Sequence, residues 1–174
     1  MGMLATAAAQ STGQNKNVTQ KQAVRFASPE RNQILAATMA GGRVVVVGDR
    51  GVVMISDDQG VTFRQAKSVP TRATLTSVSF VDNKHGWAVG HWGVVLNTQD
   101  GGETWQLQRD DLASDQPLFA VWFKDRQNGF AAGLFSLLIT THDGGKTWVR
   151  SKLPAVSGNK ASDVNLFGIF PDRK

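Results

Sequence analysis

Apolar residues in this chain fall in short runs, each closed by glycine, asparagine or aspartate. One set of runs is Ile34–Met39, Leu75–Phe80 and Leu118–Phe123; a second is Val44–Gly48, Gly86–Gly90 and Gly129–Gly133. A third is Val52–Ser56, Val94–Thr98 and Leu137–Thr141, and a fourth is Phe63–Ala66, Trp105–Gln108 and Trp148–Ser151. The runs are rich in Val, Ile, Phe, Trp and Thr, which suit a pleated, half-buried surface, and turn residues separate them. No segment keeps a helical period over eleven residues. The pattern predicts antiparallel β-structure throughout.

The runs recur in register with a motif. Ser56-Asp57-Asp58-Gln59-Gly60-Val61-Thr62-Phe63 returns as Thr98-Gln99-Asp100-Gly101-Gly102-Glu103-Thr104-Trp105 and as Thr141-His142-Asp143-Gly144-Gly145-Lys146-Thr147-Trp148. Its aspartate recurs after 42 and then 43 residues. Four strands per unit of about 40 residues is the signature of a β-propeller blade. The expected fold is therefore an all-β propeller of four-stranded antiparallel blades, about three in number, with a loose strand at each end and an incomplete ring. The blades are expected at about 32–70, 71–113 and 114–155. Ala23–Phe26 resembles a last strand without its first three, and residues 163–170 resemble a first strand without successors. Residues 23–174 then form the partial propeller, and residues 1–22 a polar, disordered tail.

The motif lies between the third and fourth strands, where a hairpin turn is needed. Asp58, Asp100 and Asp143 can accept N–H bonds across the turn. Gly60, Gly102 and Gly145 allow positive φ. Thr62, Thr104 and Thr147 can bond back to the turn, while Phe63, Trp105 and Trp148 are expected to bury their rings and lock each blade to its hairpin. A repeated metal or sugar site is the alternative. One carboxylate per copy is too few oxygens for calcium, although Asp57 adds a second to the first copy.

Composition removes several function classes. There is no cysteine, hence no disulfide, thiolate metal site or cysteine nucleophile. The net charge of +5 invites a nucleic-acid partner, but residues 1–31 hold +3 of it and residues 172–174 another +1. The repeat region is nearly neutral, without the basic stripe a phosphate backbone needs. No run approaches the ~20 apolar residues of a membrane-spanning helix. Met3–Ala9 resembles the end of an export signal with an Ala-x-Ala cleavage site, without a basic start.

The motif Ser/Thr-x-Asp-x-Gly-x-Thr-Trp resembles the Asp-box, or bacterial neuraminidase repeat. The longer pattern from Gly86-Trp87-Ala88-Val89-Gly90 through Gly93 and Thr98 to Trp105 is similar to the photosystem II assembly and stability factor family. The likeness covers about residues 32–170. The third copy departs from it at Ser136, where Gly is expected, and the first at Gln59 and Phe63. The resemblance implies a seven-bladed, non-catalytic scaffold, exported or periplasmic, with no cofactor. The alternative it leaves is a fragment of a sialidase-like glycoside hydrolase, or a carbohydrate-binding propeller.

The residues speak against hydrolysis. Sialidases use a tyrosine nucleophile, and this chain has no tyrosine. Other glycosidases need a pair of carboxylates, yet Glu occurs only at Glu30 and Glu103, and most Asp residues lie in turns. Asp110, Asp111 and Asp115 form one acidic loop. His85, His91 and His142 lack metal-ligand spacing.

A binding surface is expected at the turns between second and third strands: Gly48-Asp49-Arg50-Gly51, Gly90-His91-Trp92-Gly93 and Gly133-Leu134-Phe135-Ser136. Their flanks are nearly constant while their middle residues vary. Asp49, Arg50, His91, Trp92 and Phe135 are the candidates, joined by Arg72, Arg109 and Lys152 from connections on the same face. Arg, Trp and Phe are residue types favoured in interfaces. The expected partner is a protein or peptide. Trp92 and Phe135 could equally plug a central channel. Three blades leave the ring open, so the sequence is expected to be a fragment, an open arc, or a homo-oligomer that closes the ring.

Overall fold

The computed structural model describes residues 18–151 and 165–168. Among them are three four-stranded antiparallel sheets, each in simple sequential order. The first blade holds β1 (Ile34–Ala40), β2 (Arg43–Gly48), β3 (Val53–Ser56) and β4 (Arg64–Gln65). The second holds β5 (Leu75–Phe80), β6 (Gly86–Gly90), β7 (Val95–Thr98) and β8 (Gln106–Arg109). The third holds β9 (Leu118–Phe123), β10 (Gly129–Gly133), β11 (Leu138–Thr141) and β12 (Val149–Ser151). The first strands, β1, β5 and β9, lie beside one another, as the inner strands of propeller blades do. No described helix is long and apolar enough to cross a membrane.

The period of two sorts side chains between blade seams. In β6, Ala88 points back to the first blade, and Trp87 and Val89 point forward to the third. Val45, Val47, Val53 and Ile55 of the first blade meet Leu75, Val78, Ala88, Val94 and Leu96 of the second in one core. Trp87, Val89 and Val95 meet Val121, Ala131, Leu137 and Ile139 in the next. Trp87 stacks on Phe123 with ring centroids 3.5 Å apart and planes 6° apart.

Each second strand ends on a glycine for a steric reason. A Cβ at Gly48, Gly90 or Gly133 would collide with the carbonyl oxygen of Gln33, Thr74 or Pro117. That close approach coincides with a register shift at the start of each first strand.

The expected loose strands take other forms. Ala23–Phe26 enters no β-ladder; it lies along the outer edge of the first blade. The Ala23 N–H donates to Val69 O (2.8 Å), while the Gln65 side chain donates to Val24 O (2.7 Å) and accepts from the Phe26 N–H (3.1 Å). β4 is two residues long, and a side-chain amide does the work of a ladder. Val18–Gln22, placed by sequence in the polar tail, are hydrogen-bonded to residues 68–72 and Asp110. At the other end Asn165–Gly168 is irregular. Its Leu166 N–H donates to Gly133 O (3.0 Å), and Phe167 stacks on Phe119 at 5.3 Å. The rest of the expected strand 163–170, the end of the third unit and residues 1–17 lie outside the described residues.

Candidate functional site

The Asp-boxes are three copies of one hydrogen-bonded turn. The hydroxyl of Ser56, Thr98 or Thr141 donates to Oδ1 of Asp58, Asp100 or Asp143 (2.7, 2.9 and 2.8 Å). The same hydroxyl oxygen accepts the N–H of Gly60, Gly102 or Gly145 (2.7, 3.0 and 2.9 Å). Thr62, Thr104 and Thr147 donate both N–H and hydroxyl to that aspartate. The hydroxyl and amide of Thr62 and of Thr147 hold Asp58 and Asp143 down at about 2. Burial opposes ionisation of Asp100, but the Thr104 and Thr98 bonds still lower its pKa. A carboxylate already accepting from both donors of its threonine and from a hydroxyl is a fastener.

The boxes reach further than their own hairpins. Trp105 is 3% exposed and sits in the core shared with the first blade. Its Nε1 donates to Gly102 O (2.9 Å), and its ring meets Phe80 edge-on. Arg43 of β2 donates to Gly101 O (3.0 Å). In the next copy Trp87 Nε1 and Gln108 Nε2 both donate to Gly144 O (3.1 and 3.0 Å). Each of these two boxes thus grips the preceding blade. Phe63, expected to bury its ring, is 39% exposed, because no preceding blade stands against it among the described residues.

Glu103 strengthens the first seam and was not singled out from the sequence. Its carboxylate accepts two bonds from Arg64 (2.9 and 2.5 Å) and lies near Arg43 (3.4 Å) and Lys67 (3.7 Å). Arg64 also pairs with Asp57, as does Arg43, so the second carboxylate of the first box is committed to arginine. The Arg64 guanidinium is the main cause holding Glu103 below its ordinary value. The one signal available in the sequence is that Glu103 is an acid at the box's variable position.

The three turns expected to bind a partner share one backbone. In each turn the N–H of Val52, Val94 or Leu137 bonds back to the carbonyl of Asp49, His91 or Leu134. Arg50, Trp92 and Phe135 hold φ of 54°, 60° and 52°, in the left-handed region that L-residues avoid. Ser136 replaces the glycine of the other copies and also stands at φ 56°. Arg50 and Phe135 project into solvent; Trp92 is half-buried against the core of the first seam. Asp49 fixes its turn by accepting the Arg50 N–H (2.8 Å) and the Thr74 hydroxyl (2.9 Å). His91 is exposed, and its N–H donates to Thr74 O (2.9 Å).

Arg109, the last residue of β8, and Arg72 each donate to a backbone carbonyl. Arg109 donates to Gly93 O (2.7 Å) and pairs with Asp111 (2.8 Å), bracing the Trp92 turn. Arg72 Nε donates to Gln22 O (2.9 Å). Lys152 lies outside the described residues. In the acidic loop, Asp110 accepts from Thr19 and Gln20, and Asp111 also accepts the Ser114 N–H. Among the described residues no group of three or more His, Asp or Glu side chains could hold a metal ion.

Blades fastened by Asp-boxes and carrying strained, varied turns at one end define an Asp-box β-propeller. The family model described as "Photosynthesis system II assembly factor YCF48" matches residues 65–164, more than half of the sequence. The protein belongs to that family. It is 45% identical over 42 residues to the photosystem II assembly protein Ycf48 of Thermosynechococcus vestitus, covering 24% of this chain and 12% of that protein. It is 44% identical over 50 residues to the chloroplastic photosystem II stability/assembly factor HCF136 of Cyanidioschyzon merolae, covering 28% and 11%. The structure of YCF48 bound to a D1 peptide superposes with a TM-score of 0.62 at 23% identity, over 74% of this chain and 45% of that one. An ancestral GH74 enzyme superposes at 0.58 and 17% identity, over 71% of this chain and 19% of the enzyme. These superpositions establish the fold, and the protein spans less than half of each of these relatives.

Proposed function

We propose that this chain is part of an exported, non-catalytic assembly scaffold whose turn face holds a peptide segment of a protein partner. The observation that carries the proposal is the recurrence of Arg50, Trp92 and Phe135 in left-handed backbone at the same place in three repeats. Such strain amounts to about 1 kcal/mol or more per residue and gathers where function needs it. Gly48, Gly90 and Gly133 fix the frame, and the residues presented are an arginine and two aromatics. The relative whose structure holds a D1 peptide supports a peptide as the ligand class. A non-catalytic role is supported by the carboxylates: among the described residues, every one whose pKa is displaced is displaced downward. A glycosidase needs a general acid raised instead.

The test uses a labelled D1 peptide and fluorescence anisotropy. Arg50→Ala combined with Trp92→Ala should weaken binding by about tenfold or more, as loss of a hot-spot pair does. Unchanged affinity in a folded double variant rejects the turn face as the site.

A further inference from the structure

The outer strand of the second blade is out of step with those of its neighbours. In the first blade Met54 and Ile55 face Gln65 and Arg64, and in the third Leu138, Ile139 and Thr140 face Ser151, Arg150 and Val149, both in unbroken register. In the second, Leu96 faces Leu107 but Val95 faces Arg109, so Gln108 is an extra residue in the ladder. A bulge of this kind re-aims side chains and is common beside functional sites. Here Gln108 Nε2 donates across the seam to Gly144 O (3.0 Å), while Arg109 reaches the Trp92 turn of its own blade.

The Arg109 guanidinium acts there as a fork. Its Nη1 donates to Gly93 O (2.7 Å), and its Nη2 donates to the Asp111 carboxylate (2.8 Å). The Asp111 N–H then returns to Trp92 O (2.8 Å). Two successive carbonyls of the turn are thereby held, one of them on Trp92 itself, which stands at φ 60°. Gly93 makes room for the fork, since a Cβ there would collide with Arg109 Nη1 and lie 3.1 Å from the Asp111 Cβ. We propose that Arg109 and Asp111 are positioning residues of the turn face: they set Trp92 for its ligand through the backbone of its turn. Sequence places Arg109 among the residues that touch the partner, but both of its terminal nitrogens are committed within the blade. Its contribution is to order Trp92 in advance, so that less of that ordering falls on binding. This role rests on the turn face being the binding site.

The experiment uses the whole protein, the labelled D1 peptide and fluorescence anisotropy, in four forms: unaltered, Arg109→Lys, Trp92→Ala, and both changes together. Arg109→Lys keeps the charge but cannot supply two bonds in one planar fork. It should weaken binding about fivefold, as loss of one hydrogen bond does. In the Trp92→Ala background it should have no effect, because a positioning residue acts through the residue it positions. Amide exchange at Asp111 should accelerate in Arg109→Lys without any ligand. If Arg109→Lys does not fold, Asp111→Ala, which removes the carboxylate on which the fork leans, carries the same measurements. Absence of binding by the unaltered protein would sink the turn-face reading and this role with it. Where the unaltered protein binds, an affinity that Arg109→Lys leaves unchanged, an equal loss in both backgrounds, or unaltered exchange at Asp111 overturns the positioning role alone.

Discussion

Glu103 occupies a variable position of the second Asp-box, yet its carboxylate joins two blades. Arg64 of β4 supplies two charge-assisted bonds, while the Glu103 backbone oxygen accepts the N–H groups of Lys67 and Ser68 (2.7 and 3.2 Å). The Glu103 side chain is 14% exposed and that of Arg64 45%. A fully exposed pair contributes roughly 0.2–1 kcal/mol, and a hydrogen bond to a charged group about 1.5–3 kcal/mol when shielded. The intermediate setting places the Arg64–Glu103 coupling at about 1–2 kcal/mol. A double-mutant cycle of Glu103→Gln and Arg64→Ala, read by urea unfolding at pH 7, measures it directly. The sign of the pH effect is fixed by the depressed acid. The contribution is full above the ordinary glutamate value of 4.5 and fades as pH falls through the lower folded value. A coupling below about 0.3 kcal/mol at pH 7 would refute the seam argument, because it would fall within the error of additivity. So would a coupling that persists unchanged at about pH 2, where an ordinary carboxylate is protonated.

Other perturbations test other joints. Gln59 holds φ 62° where the later boxes have Gly101 and Gly144, so Gln59→Gly should raise stability by about 0.5–1 kcal/mol in thermal unfolding. Gly101→Ala should lower it, since the new Cβ meets Asn83 O at 2.9 Å on a backbone at φ 74°. Trp87→Phe removes one of two donors to Gly144 O and leaves Gln108 in place, so it should lower stability by about 1 kcal/mol. Trp87→Ala, which also empties the stack on Phe123, should lower it by about 3–5 kcal/mol by the same measurement. Acid should loosen the boxes together. The folded state loses what Asp58 and Asp143 contribute as pH falls from their ordinary 3.8 towards 2, visible as a drop in Tm over that window.

The strands were legible because their period of two and their turn residues repeat three times in register. β5, β6, β9 and β10 lie where the apolar runs put them, and most other strands differ by a residue or two. The hydrogen bonds of the box were legible for the same reason: its acceptor, glycine and threonine have local partners. What the repeat could not reveal is anything made between blades by residues that do not repeat. The variable places of the motif look interchangeable in sequence, yet the Glu103 carboxylate faces two arginines, Arg43 and Arg64, supplied by the blade before it. Sequence offers Arg72 and Arg109 only as candidates of the turn face, because a guanidinium that ends on a backbone carbonyl leaves no trace in sequence.

The direction of the box's grip has a consequence for the turn face. The second and third boxes close the seam behind them at one end of the sheets, through Arg43 to Gly101 O and through Trp87 and Gln108 to Gly144 O. At the other end Thr74 ties the first seam to Asp49, and Arg109 braces the Trp92 turn from within the second blade. A blade clamped at both ends holds its turn still, and a left-handed residue can persist there because the frame over-determines it. The third turn has a different brace. Ser136 stands in for glycine at φ 56°, and the Phe135 N–H is held by the side chain of Asn165 at 3.2 Å. Asp49 and the Trp92 turn are thus tied to partners in the first two blades, whereas Phe135 is also held by a segment far along the sequence. Asn165→Ala should release Phe135 while leaving the Arg50 and Trp92 turns unchanged. Amide exchange would show faster exchange at Phe135, with Arg50 and Trp92 unaltered; equal acceleration at all three would mean that the turns are not framed independently.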